Sequence, residues 1–250
     1  MARSISVVIP VYNSANSLEE LYQRLYNTLS RITDNYEIIM VDDHSGDNSY
    51  QEITKLHRKD NRVKGIRLAR NSGQQNALFC GFKHIQGDYV LTLDDDLQHN
   101  PEDIISLYRT ICKDYEVVYG IPEEREYSSL YRRIGSKLTN LLFDIITHKD
   151  SDIRVSSFRI MKKGLVNKII KHQGTFVYIS ALILNNTARI ANVNVSHSKR
   201  SYGKSNYNFF KLLKLFLRLY IYHGNSSFLK LFRSKKPQYI IKEKIGLGSN

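Results

Sequence analysis

Short apolar runs alternate with helix-period segments over the first 120 residues of this 250-residue chain. Runs at residues 4–11, 36–41, 63–68, 89–93 and 116–119 read as buried strands, because they are nearly continuous in β-branched and aliphatic side chains. The segments between them carry helix signals. Ser17 followed by Glu20 predicts a capping box, and Asn100-Pro101-Glu102-Asp103 sets a cap, a first-turn proline and two acids in order. Strand, helix, strand in repeated alternation predicts a mostly parallel α/β sheet. After Gly120 the alternation weakens. The pattern there predicts a helix over about 129–147, a strand near 156–161, helices near 165–172 and 176–184, and a strand over 189–195.

The fourth run ends in Asp94-Asp95-Asp96. Adjacent carboxylates at the end of an apolar strand need water or a cation to offset their charge, and the carboxyl edge of a parallel sheet is where α/β folds bind ligands. If the strand alternation continued, Asp94 and Asp96 would point one way and Asp95 the other. Two such oxygen donors suit Mg²⁺ or Mn²⁺ completed by substrate phosphates. An acidic loop capping the next helix is the competing reading of three acids taken alone.

Charge changes the picture at the other end of the chain. Residues 199–250 hold 12 Lys/Arg against the single acid Glu243, whereas the preceding residues are close to neutral. A basic end on a neutral body predicts a partner of opposite sign for that end. Residues 207–222 are apolar enough to suggest a membrane span, but Lys211, Lys214 and Arg218 recur on one helical face. An amphipathic helix lying in the headgroup plane fits better, with 228–232 as a second such element; packing on the body or on a partner helix is the alternative. The cations alternate with a broad aliphatic face, which argues against nucleic acid. Cys80 and Cys112 show no pairing motif and the chain runs straight into a strand without a signal-peptide pattern, so a reduced, cytoplasmic compartment is expected.

Four separated motifs occur in order: Ser-Val-Val-Ile-Pro-Val-Tyr-Asn (6–13), Val-Asp-Asp-His-Ser-Gly-Asp-Asn-Ser (41–49), Arg-Asn-Ser-Gly-Gln-Gln-Asn-Ala (70–77) and Gly-Asp-Tyr-Val-Leu-Thr-Leu-Asp-Asp-Asp-Leu-Gln (87–98). Together they resemble glycosyltransferase family 2, of the GT-A fold. Ser-Ser-Phe-Arg (156–159) and His-Ser-Lys-Arg-Ser-Tyr-Gly-Lys-Ser-Asn-Tyr (197–207) resemble the branch of dolichyl-phosphate mannose synthases and bacterial polyprenyl-phosphate glycosyltransferases.

The resemblance implies a catalytic domain over 1–205, with a nucleotide-sugar half (1–120) and an acceptor half (121–205), and a basic juxtamembrane tail over 206–250. It implies nucleotide binding by Pro10, Tyr12, Asn13, Asp42, Asp43, Ser45, Gln74 and Asp94, with Asp43 the preferred acceptor for a base N–H. Asp94, Asp96 and Gln98 would hold Mg²⁺ or Mn²⁺. A polyprenyl phosphate such as undecaprenyl phosphate arrives already ionised, so the acceptor side needs cations more than a base. Arg132, Arg133, Arg159, Arg200 and Lys204, with Ser136, are the candidates, Arg159 and Arg200 foremost. Asp152 is either a base for a hydroxyl acceptor or an orienting partner for an arginine. Asp96, Asp152 and Arg159 are thus the catalytic candidates of a transferase expected to invert the anomeric centre. The rivals are addition to a hydroxyl of a lipid-linked glycan, and a catalytically silent membrane-binding module. The branch often has Lys where this chain has Asn206, and many bacterial relatives continue into two transmembrane helices. Contact with an anionic membrane would here be peripheral on the inner face, or shared with a membrane subunit or a second copy.

Overall fold

The computed structural model describes residues 3–123, 153–174, 176–196 and 238–248. Eight strands form one sheet in the order β7-β5-β6-β4-β1-β2-β3-β8. Its centre is the expected parallel core: β1 (Ile5–Val11), β2 (Tyr36–Asp42), β3 (Val63–Leu68) and β4 (Tyr89–Thr92), joined through α1 (Leu18–Leu29), α2 (Ser49–Lys59) and α3 (Gln74–Phe82). A 3-10 turn (Pro101–Asp103) and α4 (Ile104–Ile111) lead to β5 (Val117–Pro122). β6 (Arg159–Lys162) inserts antiparallel between β4 and β5, and α5 (Lys163–Ile169) and α6 (Ile179–Leu184) lead to β7 (Ile190–Val195), parallel to β5. The predicted helix at 129–147 and the amphipathic segments at 207–222 and 228–232 lie outside the described residues.

Strand periodicity explains the layers. In β1, Val7, Ile9 and Val11 enter one core with Leu21 and Leu25 of α1, Ile53 of α2 and Leu107 of α4. Val8, between them in sequence, enters the opposite core with Leu78 and Phe82 of α3, Leu165 of α5 and Ile183 of α6. β1 and β2 are buried at every position, as central strands covered on both faces must be.

Three local readings are revised. Ser17 does begin α1, but its side chain makes no capping bond. Instead its Oγ donates to the Asp95 carbonyl (2.7 Å), with the Ser14 carbonyl also in reach at 3.0 Å. Asn100 likewise caps nothing with its side chain; its Oδ1 accepts from Arg24 Nη2 at 3.1 Å. Finally, the last part of the basic tail belongs to the sheet. β8 (Ile241–Ile245) pairs antiparallel with β3, Ala69 N donates to Ile240 O (2.8 Å), and Glu243 lies 3.6 Å from Arg67 of β3. Five residues without a turn signal left this strand unread. Among the described residues, no helix is long and apolar enough to cross a membrane.

Gly81 shows how tightly α3 seats on the sheet. A Cβ there would lie 2.4 Å from Val8 Cγ1 and 3.2 Å from Val41 Cγ2. Helix propensity alone favours Gly81→Ala by about 1 kcal/mol, but overpacking a core of this kind costs about 1–3 kcal/mol. The clash falls on two β-branched side chains that are wholly buried, so the steric term wins. Gly81→Ala is expected to lower the urea midpoint with an unchanged m-value; a midpoint at or above that of the wild type would refute this packing.

Candidate active site

β1 pairs with β4 only as far as Val8 opposite Thr92, while its pairing with β2 continues to Val11 opposite Asp42. Beyond Val8 the chain after β4 leaves β1, and Pro10, which has no N–H to offer a neighbour, sits two residues past that point. This is the point on the carboxyl edge where the order 3-2-1-4 reverses direction, the position at which open α/β sheets bind ligands. Pro10 itself is buried inside β1 opposite Val41, so it shapes the strand and is not exposed on the rim.

The turns after β1 and β2 are stitched together. Asn13 N donates to Ser45 Oγ (3.0 Å), Gly46 N donates to Asn13 Oδ1 (2.8 Å), and Ser45 N donates to Asp42 Oδ1 (3.1 Å). Asp42 is fully buried, with its second oxygen 3.2 Å from Arg67 Nε. It braces the turn from beneath and presents no carboxylate to a ligand. Asp43, 3% exposed, accepts the backbone N–H groups of Ser72 (2.6 Å) and Gly73 (2.7 Å). Burial pushes its pKa up while those two bonds pull it down. It thereby ties the turn before α3 to β2, and Gly73, at φ 88°, takes a backbone shape that other residues resist. Tyr12 remains exposed at the rim.

The acids lie just past β4, in a turn, so the strand alternation expected for them does not apply. Each has its own task. Asp94 Oδ1 accepts from Gln74 Nε2 (2.6 Å) and its Oδ2 from Ser157 Oγ (2.8 Å), with His99 Nδ1 3.9 Å away. Asp95 turns toward β1 and accepts Tyr12 N (3.0 Å). Asp96 Oδ1 accepts from Gln98 N (3.2 Å), so the Gln98 contact made here is by backbone. Withdrawal from water pushes Asp95 up to about 6, against bonds from Ser14 and Tyr12 and with the help of its acidic neighbours.

No three His, Cys, Asp or Glu side chains converge on one point among the described residues. What the acid turn offers is two carboxylates two residues apart, Asp94 and Asp96, just past the end of β4 at the carboxyl edge. Each Asp94 oxygen carries one hydrogen bond and keeps a lone pair. A hard-oxygen pair of this kind fits Mg²⁺ or Mn²⁺, which typically take one or two carboxylates and draw their remaining ligands from phosphates and water.

The antiparallel β6 brings the acceptor-half motif to the same edge, with Arg159 opposite Thr92. Arg159 is 1% exposed; its Nη1 donates to Ser180 Oγ (3.1 Å) and approaches Ser156 O (3.4 Å). Burial lowers its pKa, while the hydroxyls of Tyr119 and Tyr178 and the Asp94 carboxylate oppose that shift. A guanidinium enclosed this way does not reach out to a lipid phosphate, which revises the direct grip expected for it. Arg132, Arg133, Ser136, Asp152, Arg200 and Lys204 lie outside the described residues. Two side chains of this edge make contacts that their motifs do not announce: Ser157, and Gln75, whose Oε1 accepts Ile179 N (2.9 Å) at the start of α6. Both belong to motifs already noted, but their roles depend on pairings between distant segments.

A mostly parallel sheet of this order, with acids at its switch point, is an α/β architecture of the kind that binds ligands at the carboxyl edge. The sequence profile described as Glycosyl transferase family 2 matches residues 6–170, and the chain belongs to that family. The chain is 34% identical over 212 residues to the undecaprenyl-phosphate 4-deoxy-4-formamido-L-arabinose transferase of Proteus mirabilis (strain HI4320), covering 84% of this chain. The protein of the same name from Salmonella choleraesuis (strain SC-B67) is 34% identical over 216 residues, covering 85%. The matches span 65% of the length of those relatives. Among solved structures, glucosyl-3-phosphoglycerate synthase from Mycobacterium tuberculosis, in complex with Mn²⁺, UDP and phosphoglyceric acid, superposes with a TM-score of 0.65 at 16% identity. That likeness covers 88% of this chain and 76% of the other, and establishes a GT-A-like fold.

Asp95 generates a pH prediction for the protein in the presence of a chelator. Its folded pKa is raised to about 6, above the ordinary 3.8. The native state then binds a proton that the unfolded chain has released, so this stabilisation is present below about pH 4 and lost as pH rises to about 6, with a slope of at most about 1.4 kcal/mol per unit. Asp95→Asn mimics the protonated acid and keeps an oxygen for Tyr12 N. Its melting temperature relative to wild type should rise between pH 4 and 7; a flat difference would show that Asp95 does not titrate in this range.

Proposed function

We propose that this chain transfers a sugar from a nucleotide-sugar donor to a polyprenyl phosphate at a membrane surface, with a divalent cation at Asp94 and Asp96. The observation that carries this reading is that the acid turn touches three separate segments at one edge of the sheet: Asp95 accepts Tyr12 N, and Asp94 accepts from Gln74 and from Ser157 of the Ser-Ser-Phe-Arg segment. Two relatives named for transfer to undecaprenyl phosphate support the acceptor class. The Mn²⁺ and UDP named in complex with the structural neighbour support the donor chemistry.

The residues divide the work. The stitched turns at Asn13 and Ser45, with exposed Tyr12, frame the base and ribose, and Asp43 fixes the turn at Ser72 and Gly73 that opens α3. When bound, Mg²⁺ or Mn²⁺ offsets charge on the departing diphosphate. Asp95 holds the acid turn against Tyr12, so that Asp94 and Asp96 keep their spacing. Buried Arg159 supplies positive potential behind Asp94 rather than a direct contact. Direct contact with the acceptor phosphate falls to Arg132, Arg133, Ser136, Arg200 and Lys204, with Asp152 orienting Arg154 or Arg159. An ionised phosphate needs no proton removed, and an in-line displacement would invert the anomeric centre. The basic residues 199–236, which precede β8, favour an anionic leaflet by about 1 kcal/mol for each cation near its surface, which suits peripheral attachment on the cytoplasmic side.

The test offers UDP-, GDP- and dTDP-sugars to the purified protein with Mg²⁺ or Mn²⁺, with and without undecaprenyl phosphate. A product that forms only with the lipid and releases free sugar in mild acid is expected. An acid-resistant linkage would mean a hydroxyl acceptor and overturn the acceptor assignment. Asp96→Asn should lower turnover by about two orders of magnitude or more, the scale of several kcal/mol of lost charge stabilisation, while its circular dichroism stays native. Retained turnover would remove Asp96 from the cation site.

A further inference from the structure

We infer that Ser157 is a positioning residue: its hydroxyl fixes the orientation of the Asp94 carboxylate and so links the acceptor half of the sheet to the cation-binding acid. The inference rests on the reading of Asp94 given above. A carboxylate's terminal torsion is broad and settles in no sharp well, so an acid at a strand end needs outside contacts to hold one plane. Asp94 has two, one on each oxygen and each from a different part of the fold. Gln74 donates to Oδ1 (2.6 Å) from the first residue of α3, and Ser157 donates to Oδ2 (2.8 Å) from the segment entering β6.

The two donors are not held alike. Gln74 is an exposed side chain with several rotatable bonds. Ser157 is short, half-buried and fixed on both sides. Its carbonyl accepts Thr92 Oγ1 (2.6 Å), which ties it to the last residue of the strand that leads to Asp94. Before it, Ser156 O is approached by the enclosed Arg159, and Ser156 Oγ accepts Phe158 N (3.1 Å). After it, the wholly buried Phe158 packs its ring 5.1 Å from that of His99, on the far side of the acid turn. The direction of the Ser157 hydroxyl is therefore set by the packed frame, and Asp94 inherits that direction. Groups that orient the ligands of a metal in this way typically govern about 10–100-fold in its affinity.

Mn²⁺ alone is the probe, titrated into the full chain and followed by the paramagnetic resonance of the free ion, beside thermal melting. Ser157→Ala is expected to weaken Mn²⁺ binding about tenfold with a near-native melt, and Ser157→Thr, which keeps the hydroxyl, to return to within about threefold of wild type. If Ser157→Ala binds Mn²⁺ as the wild type does, the inference is overturned while the functional reading stands. If wild type and Asp96→Asn bind Mn²⁺ equally, no ion is held at the acid pair and both are overturned. Should alanine unfold the protein, Ser157→Cys, similar in size but a weak donor, decides on the same terms: weakened binding supports the role and unchanged binding refutes it.

Discussion

Three consecutive carboxylates at the end of a buried strand impose the constraint around which this edge of the protein is organised. Charge of one sign, packed at the mouth of an apolar core, must be divided among different partners. The fold meets this by ending β4 at Thr92 and letting the chain turn, so that the acids fan out. Asp95 is spent on Tyr12 N and Asp94 on Gln74 and Ser157. Ser17 binds the Asp95 carbonyl from α1. Each contact comes from a separate element, so the acid turn fastens β1, α1, α3 and the segment before β6 to one another. A charge problem local to three residues becomes the junction of the carboxyl edge of the sheet.

That junction is also where backbone strain collects. Of the four non-glycine residues with positive φ among those described, Asn13, His44 and Leu97 lie in the turns after β1, β2 and β4. Such conformations cost about 1–3 kcal/mol each and persist where surrounding bonds over-determine them. The bonds from Asn13 to Ser45 and Gly46 do this in the first turn, and the contacts of Asp94 and Asp95 do it in the third. Strain and hydrogen bonding are here two sides of one arrangement: the strained turns are held by bonds from neighbouring segments.

Arg159 illustrates the opposite economy. A buried guanidinium with hydroxyl and carbonyl partners, and no carboxylate within 4 Å among the described residues, carries a desolvation cost that its neighbours offset only in part. Its placement behind Asp94 gives that cost a physical use, since potential from a cation in a poorly screened interior reaches further than from one on the surface. Asp94 and the enclosed arginine, 65 residues apart in the sequence, are thus electrostatically coupled.

Near-continuous apolar runs determined β1 through β4, because strands buried on both faces admit few polar residues, and the order of turns and acids placed Asn13, Ser45, Asp94 and Asp96 on one edge. The motifs along the chain also made the family legible. Tertiary structure alone decided the partners. Asp42 and Asp43 are adjacent and identical in type, yet one faces Arg67 beneath the turn and the other the amides at Ser72 and Gly73. Ser17 looks like a helix cap and is a tether, Arg159 looks like a surface grip and is enclosed, and β8 adds a strand from a segment that reads as charged tail. Periodicity records how much of a residue is buried, which is local; which group a polar side chain meets depends on segments that come together only when the sheet forms.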